Sequence, residues 1–291
     1  MSSIAVRAPA TSANLGAGFD CLGLALDLWN EVVAAPGRLA EDDASNLILR
    51  SARAVYVLVG APYPGFELRC ENRIIFNRGL GSSAAAIACG VLLGNACLGG
   101  PLDTNALLDL ATSIEGHPDN VAPCLLGGAR VALLTDTGHV LQSPVSVALE
   151  LTAVCFVPEH NVPTAHARGL LPTAVPLSDA VFNVARASLM VAALTAGRSD
   201  LLAEACRDRL HQPFRLPLFP AGAPLLEAAV QAGALAAYIS GAGPTVLALC
   251  QGADQVASVK HAFETRAADL DVAGSTFVLA LTQSGAHVVP T

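Results

Sequence analysis

The chain has 291 residues, of which 53% are hydrophobic and only 14% are charged, so it can bury a large core, and its length predicts two domains. Its formal net charge of −8 and its pI of about 5.3 disfavour a nucleic acid or an anionic membrane as the main partner, because both bind basic surfaces. The first residues lack a secretory pattern and the apolar stretches are repeatedly interrupted, which predicts a soluble cytoplasmic protein.

The first half of the sequence predicts a mixed sheet with helices. Apolar periodicity predicts strands at residues 4–7, 22–29, 32–35 and 66–69 and a helix at residues 46–58. Further helices are expected after residues 81 and 103. Residues 129–134 and 140–141 predict a hairpin that closes a first domain at residues 1–150.

Residues 9–20 combine turn-forming residues with one amide, Asn14, and one carboxylate, Asp20, directly before a predicted strand. Both side chains are candidate ligands for a substrate. Asn and Asp also stabilise turns by bonding to nearby backbone, and the sequence leaves both roles open.

The segment Arg78-Gly79-Leu80-Gly81-Ser82-Ser83-Ala84 lies between an apolar run and an alanine-rich helical pattern. Its glycines allow a tight turn that brings backbone N–H groups to an anion, and the following helix directs its positive end to the same point. The two hydroxyls can cap the helix or reach a magnesium ion carried by a nucleotide. The pattern is typical of a phosphate-binding loop.

Three kinds of structure fit this loop. One is a plain helix N-cap. The second is a dinucleotide fingerprint, but that motif needs a strand ending in an acidic residue about 20 positions later. Here residues 99–101 are Gly-Gly-Pro, which breaks a strand. The third is a nucleotide-triphosphate loop of a kind that lacks the usual Lys-Ser/Thr end.

Residues 115–120 concentrate four polar side chains between two predicted helices. Asp119 and Asn120 can be helix caps, whereas Glu115 and His117 have no capping role. The residue types favour magnesium binding by Glu115 and substrate binding by His117.

The second half predicts helices packed on another sheet, which makes the whole chain α+β. Strands are expected at residues 151–157, 236–239, 246–249 and 276–279, and helices at residues 178–196, 201–210, 224–232 and 254–267. A Gly-rich turn at residues 240–245 joins two of the strands, and its backbone must approach another group closely.

Together these motifs resemble the homoserine kinases of the GHMP small-molecule kinase superfamily. The matching segments are residues 7–27, 78–86, 115–128, 164–168, 210–215 and 237–245, which span nearly the whole chain. The Gly-Leu-Gly-Ser-Ser-Ala loop points to the superfamily. Ser-Ala-Asn-Leu-Gly at residues 12–16 and Glu-Gly-His-Pro-Asp-Asn-Val-Ala-Pro at residues 115–123 are typical of homoserine kinases. Ile75 stands where the family usually has proline, a change in loop rigidity rather than in chemistry.

The resemblance implies a two-domain fold. Residues 1–150 would form an ATP-binding domain like ribosomal protein S5 domain 2, and residues 151–291 a ferredoxin-like domain, with the active site between them. It implies transfer of the γ-phosphate of ATP to the side-chain hydroxyl of L-homoserine, a step in threonine biosynthesis. Mg²⁺ is the implied cofactor, and we expect a homodimer.

The resemblance also assigns a role to each matching residue. ATP would be bound by Asn46, near the adenine, and by Arg78, Gly79, Leu80, Gly81, Ser82 and Ser83. Mg²⁺ would be held by Glu115 with Ser83 or Ser82. L-Homoserine would be bound by Asn14, Asp20, His117, Asn120, Arg168 and Arg215. The catalytic set would be Asp20, Ser83, Glu115 and Thr164, with Thr164 positioning the γ-phosphate and Asp20 acting as base or as substrate ligand.

These roles suit an amino-acid substrate, because its carboxylate needs a bidentate cation and its ammonium needs an anion. Arg168 and Arg215 can supply the first and Asp20 the second, although either arginine taken alone could be an ordinary surface residue. Two other functions stay open. A GHMP kinase for mevalonate or another alcohol would not need this site, and a catalytically silent sensor would lose a metal ligand or loop hydroxyl, whereas this chain retains them.

Overall fold

The computed structural model describes residues 3–37 and 45–289, so the outer limits of the two predicted domains, residues 1 and 291, lie outside it. The strands are β1 (Ile4–Ala13), β2 (Leu22–Pro36), β3 (Phe66–Glu71), β4 (Ala129–Leu134), β5 (Val140–Val145), β6 (Thr152–Pro158), β7 (Ala236–Ile239), β8 (Val246–Cys250), β9 (Gly274–Ala280) and β10 (His287–Val289).

The described residues also form α-helices in both halves of the chain. They are α1 (Leu47–Val59), α2 (Ser82–Cys97), α3 (Thr104–Glu115), α4 (Pro118–Leu126), α5 (Thr164–Gly169), α6 (Leu177–Ala196), α7 (Leu202–Ala205), α8 (Gln212–Arg215), α9 (Gly222–Gln231) and α10 (Ala253–Asp269). Strands and helices are mixed in both halves, and the predicted α+β class is confirmed.

The first sheet has the strand order β10-β1-β2-β4-β5. β3 pairs with the C-terminal part of β2, residues 31–36. The predicted strands at residues 22–29 and 32–35 are one continuous strand. Asn30, whose polarity suggests a break, is buried, and its side-chain oxygen accepts the backbone N–H groups of Arg73 (2.8 Å) and Ile74 (2.9 Å). β2 therefore holds the segment that leads into the phosphate loop.

Helix α2 is buried against α1 and the first sheet. Two glycines allow this close packing: a Cβ on Gly90 would lie 2.3 Å from the carbonyl oxygen of Ile48, and one on Gly94 would lie 2.7 Å from that of Ala52. The phosphate loop precedes Ser82 directly, so the rigid packing of α2 fixes the loop at the N-terminal end of this helix.

The second sheet has the antiparallel order β7-β8-β6-β9. Successive side chains of β6 point to opposite faces, so Val154 and Phe156 join one apolar core with Phe263 of α10, whereas Cys155 joins the core of the first sheet. Both faces of β6 are therefore buried, which explains why residues 153–157 are all apolar instead of alternating with polar residues.

The Gly-rich turn at residues 240–245 lies where the two sheets meet. The N–H of Gly241 donates to the carbonyl of Ala13 (3.2 Å), and the N–H of Thr245 donates to that of Arg78 (3.2 Å). β10 pairs with β1, so the chain returns to the first sheet. The turn therefore contacts the N-terminal segment and the phosphate loop together, and a cleft opens beside it.

One predicted helix is wrong. Instead of a helix at residues 201–210, a short 3₁₀ segment, Ser199–Leu201, precedes α7, and the chain then turns. The side chain of Asp208 accepts the backbone N–H groups of Leu210, His211 and Gln212 at 2.6–3.0 Å. A side chain that satisfies these groups offers the backbone an alternative to the helix.

Helix α6 is long and apolar enough to cross a membrane by length and composition. It nevertheless packs into the fold: Met190 is fully buried, and Asn183 donates a hydrogen bond to the carbonyl of Ala17 (3.2 Å). Its outer face carries exposed apolar side chains, including Val181 and Val184.

Candidate active site

A cleft lies between the phosphate loop, the N-terminal turn and the elements of the second half. It is lined by these residues from the predicted site: Asn14, Asp20, Gly79, Gly81, Ser82, Ser83, Glu115, His117, Asn120, Thr164, Arg168 and Arg215. Residues separated by up to about 200 positions in the chain thus meet in one space, and Asn77, Asp119, Gly241 and Ala242 complete the lining.

The phosphate loop ends at the N-terminus of α2. The N-cap is Gly81, in the left-handed region at φ 69°, and no side chain caps the helix in the described chain. Ser82 Oγ instead accepts the N–H of Asn77 (3.3 Å). The positive end of α2 therefore faces the cleft, where an anion would be stabilised.

The glycines of the loop permit close backbone contacts. Gly79 has φ 81°, and a Cβ there would lie 2.2 Å from the carbonyl oxygen of Ser240. A Cβ on Gly81 would lie 1.9 Å from the hydroxyl of Thr11, whose N–H donates to the carbonyl of Leu80 (3.1 Å). Only glycine fits at either position, and the loop is clamped between β1 and the Gly-rich turn.

Ser83 and Glu115 form the part of the cleft suited to a metal ion. Ser83 Oγ donates to Glu115 Oε1 at 2.6 Å, and Glu115 is the last residue of α3. Burial raises the pKa of Glu115, whereas the Ser83 hydrogen bond and nearby His117 lower it in part. A hydroxyl and a carboxylate are the oxygen ligands that Mg²⁺ prefers, and this ion takes its remaining ligands from water and phosphates. The residues therefore fit Mg²⁺.

Three of the predicted ATP-binding residues do not line this cleft with their side chains. The Arg78 guanidinium donates to the carbonyls of Pro158 (2.9 Å) and Glu159 (2.5 Å), and Leu80 is fully buried. Asn46 caps α1 and borders a separate cavity that Phe76 also lines.

The N-terminal turn presents Asp20 to the cleft. Asn14 and Asp20 adopt left-handed backbone conformations, φ 72° and 57°, which their residue types tolerate better than most. Asn14 Oδ1 accepts the N–H of Asp20 (3.1 Å), and its Nδ2 donates to the carbonyl of Gly241 (2.9 Å). Both oxygens of Asp20 accept from Arg168 at 2.8 Å, a bidentate ion pair. Asn14 thus stabilises the turn and also lines the cleft.

Arg215 is the buried cation of the site, with only 4% of its surface exposed. Its Nη1 donates to the carbonyl of Gly241 (2.9 Å), and its guanidinium carbon lies 5.2 Å from the ring centre of Phe19. Burial, together with the charge of Arg168, lowers its pKa to about 10. A buried guanidinium near a second arginine favours an anionic ligand between them.

His117 is held by Asp119, a residue that the sequence suggests only as a helix cap. His117 Nδ1 and Asp119 Oδ1 form a short contact, and Asp119 Oδ1 also accepts the N–H of Asn120 (2.9 Å). Burial opposes the charged imidazole, but the hydrogen bond and charge of Asp119, together with Glu115, outweigh it and raise the pKa of His117. The proline at residue 118 gave a signal for this turn, because it suits the first position of a helix.

The chain matches two family models, GHMP kinases N terminal domain at residues 46–128 and GHMP kinases C terminal at residues 190–269. It is 44% identical to homoserine kinase of Moorella thermoacetica, over 85% of this chain and 87% of that protein. It is also 44% identical to homoserine kinase of Streptomyces coelicolor, over 99% of this chain and 95% of that protein.

Solved structures agree. The crystal structure of homoserine kinase from Cytophaga hutchinsonii is 30% identical and superimposes with a TM-score of 0.89 over 99% of this chain and 98% of that one. L. major mevalonate kinase, at 14% identity and a TM-score of 0.71, shares the fold. The predicted two-domain GHMP kinase fold is confirmed, and the chain belongs to the homoserine kinase family of the GHMP kinases.

Proposed function

We propose that this protein transfers the γ-phosphate of ATP to the side-chain hydroxyl of L-homoserine, giving O-phospho-L-homoserine for threonine biosynthesis. The observation that carries the proposal is the cleft itself, in which a phosphate loop at a helix N-terminus faces two arginines and a carboxylate. The relatives that cover most of the chain are named homoserine kinases, which supports the same substrate.

ATP is the donor, as in other kinases of this family. The backbone of Gly79 to Ser83 would cradle its phosphates, and its adenine would occupy the cavity bordered by Asn46. Ser83 and Glu115 would hold Mg²⁺, which, when bound, neutralises negative charge on the transferring phosphoryl group. Arg78 would act through the backbone, because its guanidinium ties the loop to the end of β6.

L-Homoserine is the acceptor. Arg215 and Arg168 would bind its carboxylate, and Asp20 its ammonium, which requires the present Asp20–Arg168 pair to open and share its charges with the zwitterion. Asn14, His117 and Asn120 would orient the rest of the molecule. The site thereby selects an α-amino acid over a neutral alcohol.

The reaction needs alignment more than a strong base. The substrate oxygen forms the bond to the γ-phosphorus, the bond to the β–γ bridging oxygen breaks, and ADP leaves with that electron pair. Thr164, at the start of α5 and on the edge of the cleft, would position the γ-phosphate. Asp20 would accept the hydroxyl proton or orient the hydroxyl, since its carboxylate faces the cleft beside Arg168.

The test is ATP consumption measured over a panel of hydroxyl compounds that includes L-homoserine, L-serine, L-threonine and mevalonate. We expect turnover with L-homoserine alone, because only this compound combines the zwitterion with a hydroxyl at the right distance. Turnover of mevalonate instead would favour another GHMP kinase activity. No turnover with any compound would favour a metabolite sensor on the same fold.

We also propose a soluble, cytoplasmic homodimer that binds neither nucleic acid nor membrane. The net charge of −8 supports the last point. Leu177, Val181 and Val184 support the dimer, because they form one stripe on α6 with 80%, 59% and 67% of their surfaces exposed.

Light scattering after size exclusion should give twice the chain mass of 29.6 kDa. Val184→Glu should shift the protein toward the monomer, because it places a charge within the apolar stripe. Val57→Glu, at another exposed apolar position on α1, should leave the mass unchanged and serves as the control. A monomeric wild-type protein at micromolar concentration would contradict the proposal.

A further inference from the structure

His211 is a fully buried histidine that precedes α8, four residues before Arg215. Its place is fixed by the turn at Asp208, whose side chain accepts the backbone N–H of His211 (3.0 Å). Asp208 in turn accepts a hydrogen bond from Asn183 of α6 (2.6 Å). The backbone of His211 is therefore anchored independently of its imidazole.

The imidazole makes two directed hydrogen bonds. Arg215 Nη1 lies 3.2 Å from Nδ1, and because arginine only donates, Nδ1 must accept. The ring proton is then on Nε2, which donates to the carbonyl of Gly16 (2.7 Å). Burial lowers the pKa of His211 and outweighs the opposing charge of Asp208, whose Oδ2 lies 3.6 Å from Nε2, and the charge of Arg215 adds to the lowering. A neutral ring agrees with this direction. His211 thus links the guanidinium of Arg215 to the N-terminal turn.

The ring face contributes a third contact. His211 stacks on Phe19, with ring centres 5.2 Å apart and planes at 24°. The guanidinium groups of Arg168 and Arg215 also lie against Phe19, with their carbon atoms 5.6 and 5.2 Å from its ring centre. His211 therefore supports the aromatic ring that both arginines contact.

The nitrogen atoms of the Arg215 guanidinium differ in their hydrogen bonds. Nη1 is engaged by His211 and by the carbonyl of Gly241, whereas the buried Nε has no hydrogen-bond partner within residues 3–37 and 45–289. A buried donor without a partner is costly unless a ligand satisfies it. The protein thus fixes the guanidinium through Nη1 and leaves its Nε without a partner among these residues.

We propose that His211 is a positioning residue that fixes the orientation of Arg215 and thereby sets the preference for a substrate with an α-carboxylate. His211 is not among the residues that line the cleft, whereas Arg215 is, so His211 would act through Arg215. The inference rests on the proposed function, since it takes the carboxylate of L-homoserine as the ligand of Arg215.

The experiment compares two acceptors, L-homoserine and its decarboxylated form. The second compound is the aminopropanol with its amine and hydroxyl at opposite ends, which lacks only the carboxylate. His211→Phe keeps a ring against Phe19 and removes both hydrogen bonds. We expect the ratio of kcat/KM for L-homoserine to that for the aminopropanol to fall about tenfold, through KM for L-homoserine. KM for ATP should stay within about twofold. If turnover of the aminopropanol is too slow to detect, its inhibition constant is measured instead. The ratio of this constant to KM for L-homoserine should then fall about tenfold in His211→Phe.

Two conservative variants separate the hydrogen bonds. The amide oxygen of His211→Asn can take the place of Nδ1 and accept from Arg215, so we expect the preference to be restored to within about threefold. The amide of His211→Gln reaches the place of Nε2 and can donate to Gly16, so it should behave like His211→Phe. In an Arg215→Leu background, His211→Phe should not change the ratio further, because residues that act as one unit are not additive.

The outcomes distinguish the two proposals. A wild-type protein that does not phosphorylate L-homoserine would overturn the proposed function. A wild-type protein that does so, with His211 variants that lose activity equally on both acceptors, would overturn the role of His211 and leave it a purely structural residue. If His211→Phe does not fold, the Asn and Gln variants give the same comparison.

Discussion

Gly79→Ala is expected to lower kcat/KM for ATP by at least about a hundredfold, because the new methyl group cannot be accommodated. Its Cβ would lie 2.2 Å from the carbonyl oxygen of Ser240 and 3.1 Å from that of Gly243, and both are backbone atoms. Relief requires the phosphate loop to move away from the Gly-rich turn. The hydrogen bond from Ser240 Oγ to the carbonyl of Gly79 (2.6 Å) would be lost with it.

Gly138→Ala is the matched control. Gly138 has φ 84°, close to the 81° of Gly79, but a Cβ there would have no atom within 4 Å. This variant therefore isolates the cost of a left-handed alanine, about 1 kcal/mol, and should lower the melting temperature by a few degrees without changing kcat. Wild-type kinetics for Gly79→Ala would show that phosphate binding does not depend on this close approach.

Glu115→Gln is expected to weaken the use of Mg²⁺ and ATP by about a hundredfold, while KM for L-homoserine changes little. The substitution preserves size and a partner for the Ser83 hydroxyl, but it removes the negative charge from the proposed metal site. Initial rates over a Mg²⁺ series give the kinetic readout. Calorimetric titration with ATP, with and without Mg²⁺, gives a second readout that does not depend on turnover.

The control for this variant is Glu264→Gln on α10, which makes the same chemical change at an exposed position paired with Lys260. Its Mg²⁺ dependence should match that of the wild type. If Glu115→Gln also matches the wild type in both measurements, Glu115 is not a metal ligand.

Local sequence determined the elements around the donor site. The glycines before an alanine-rich run predicted both the loop and the start of α2, because turn and helix preferences act over a few residues. The four strands of the second sheet were predicted within a few residues for the same reason, whereas β10 was not predicted. Two predictions differ from the structure. Asp208 accepts the backbone N–H groups of Leu210 and His211, and a turn replaces the helix predicted through residue 210. Asn30 continues β2 because its side chain bonds to the backbone of Arg73 and Ile74, 43 and 44 positions away.

Contacts between distant residues were decided only by the tertiary structure. Asp20 meets Arg168 across 148 positions, and Arg215 meets the carbonyl of Gly241 at the junction of the sheets. The direction of the Arg78 side chain toward Pro158 and Glu159, and the hydrogen bond from His211 to the carbonyl of Gly16, also depend on which elements pack together. Sequence alone thus determined the kind of residues and the phosphate loop. The cleft and its charge pattern needed the packed chain, because hydrogen bonds and ion pairs form between surfaces that no local preference brings together.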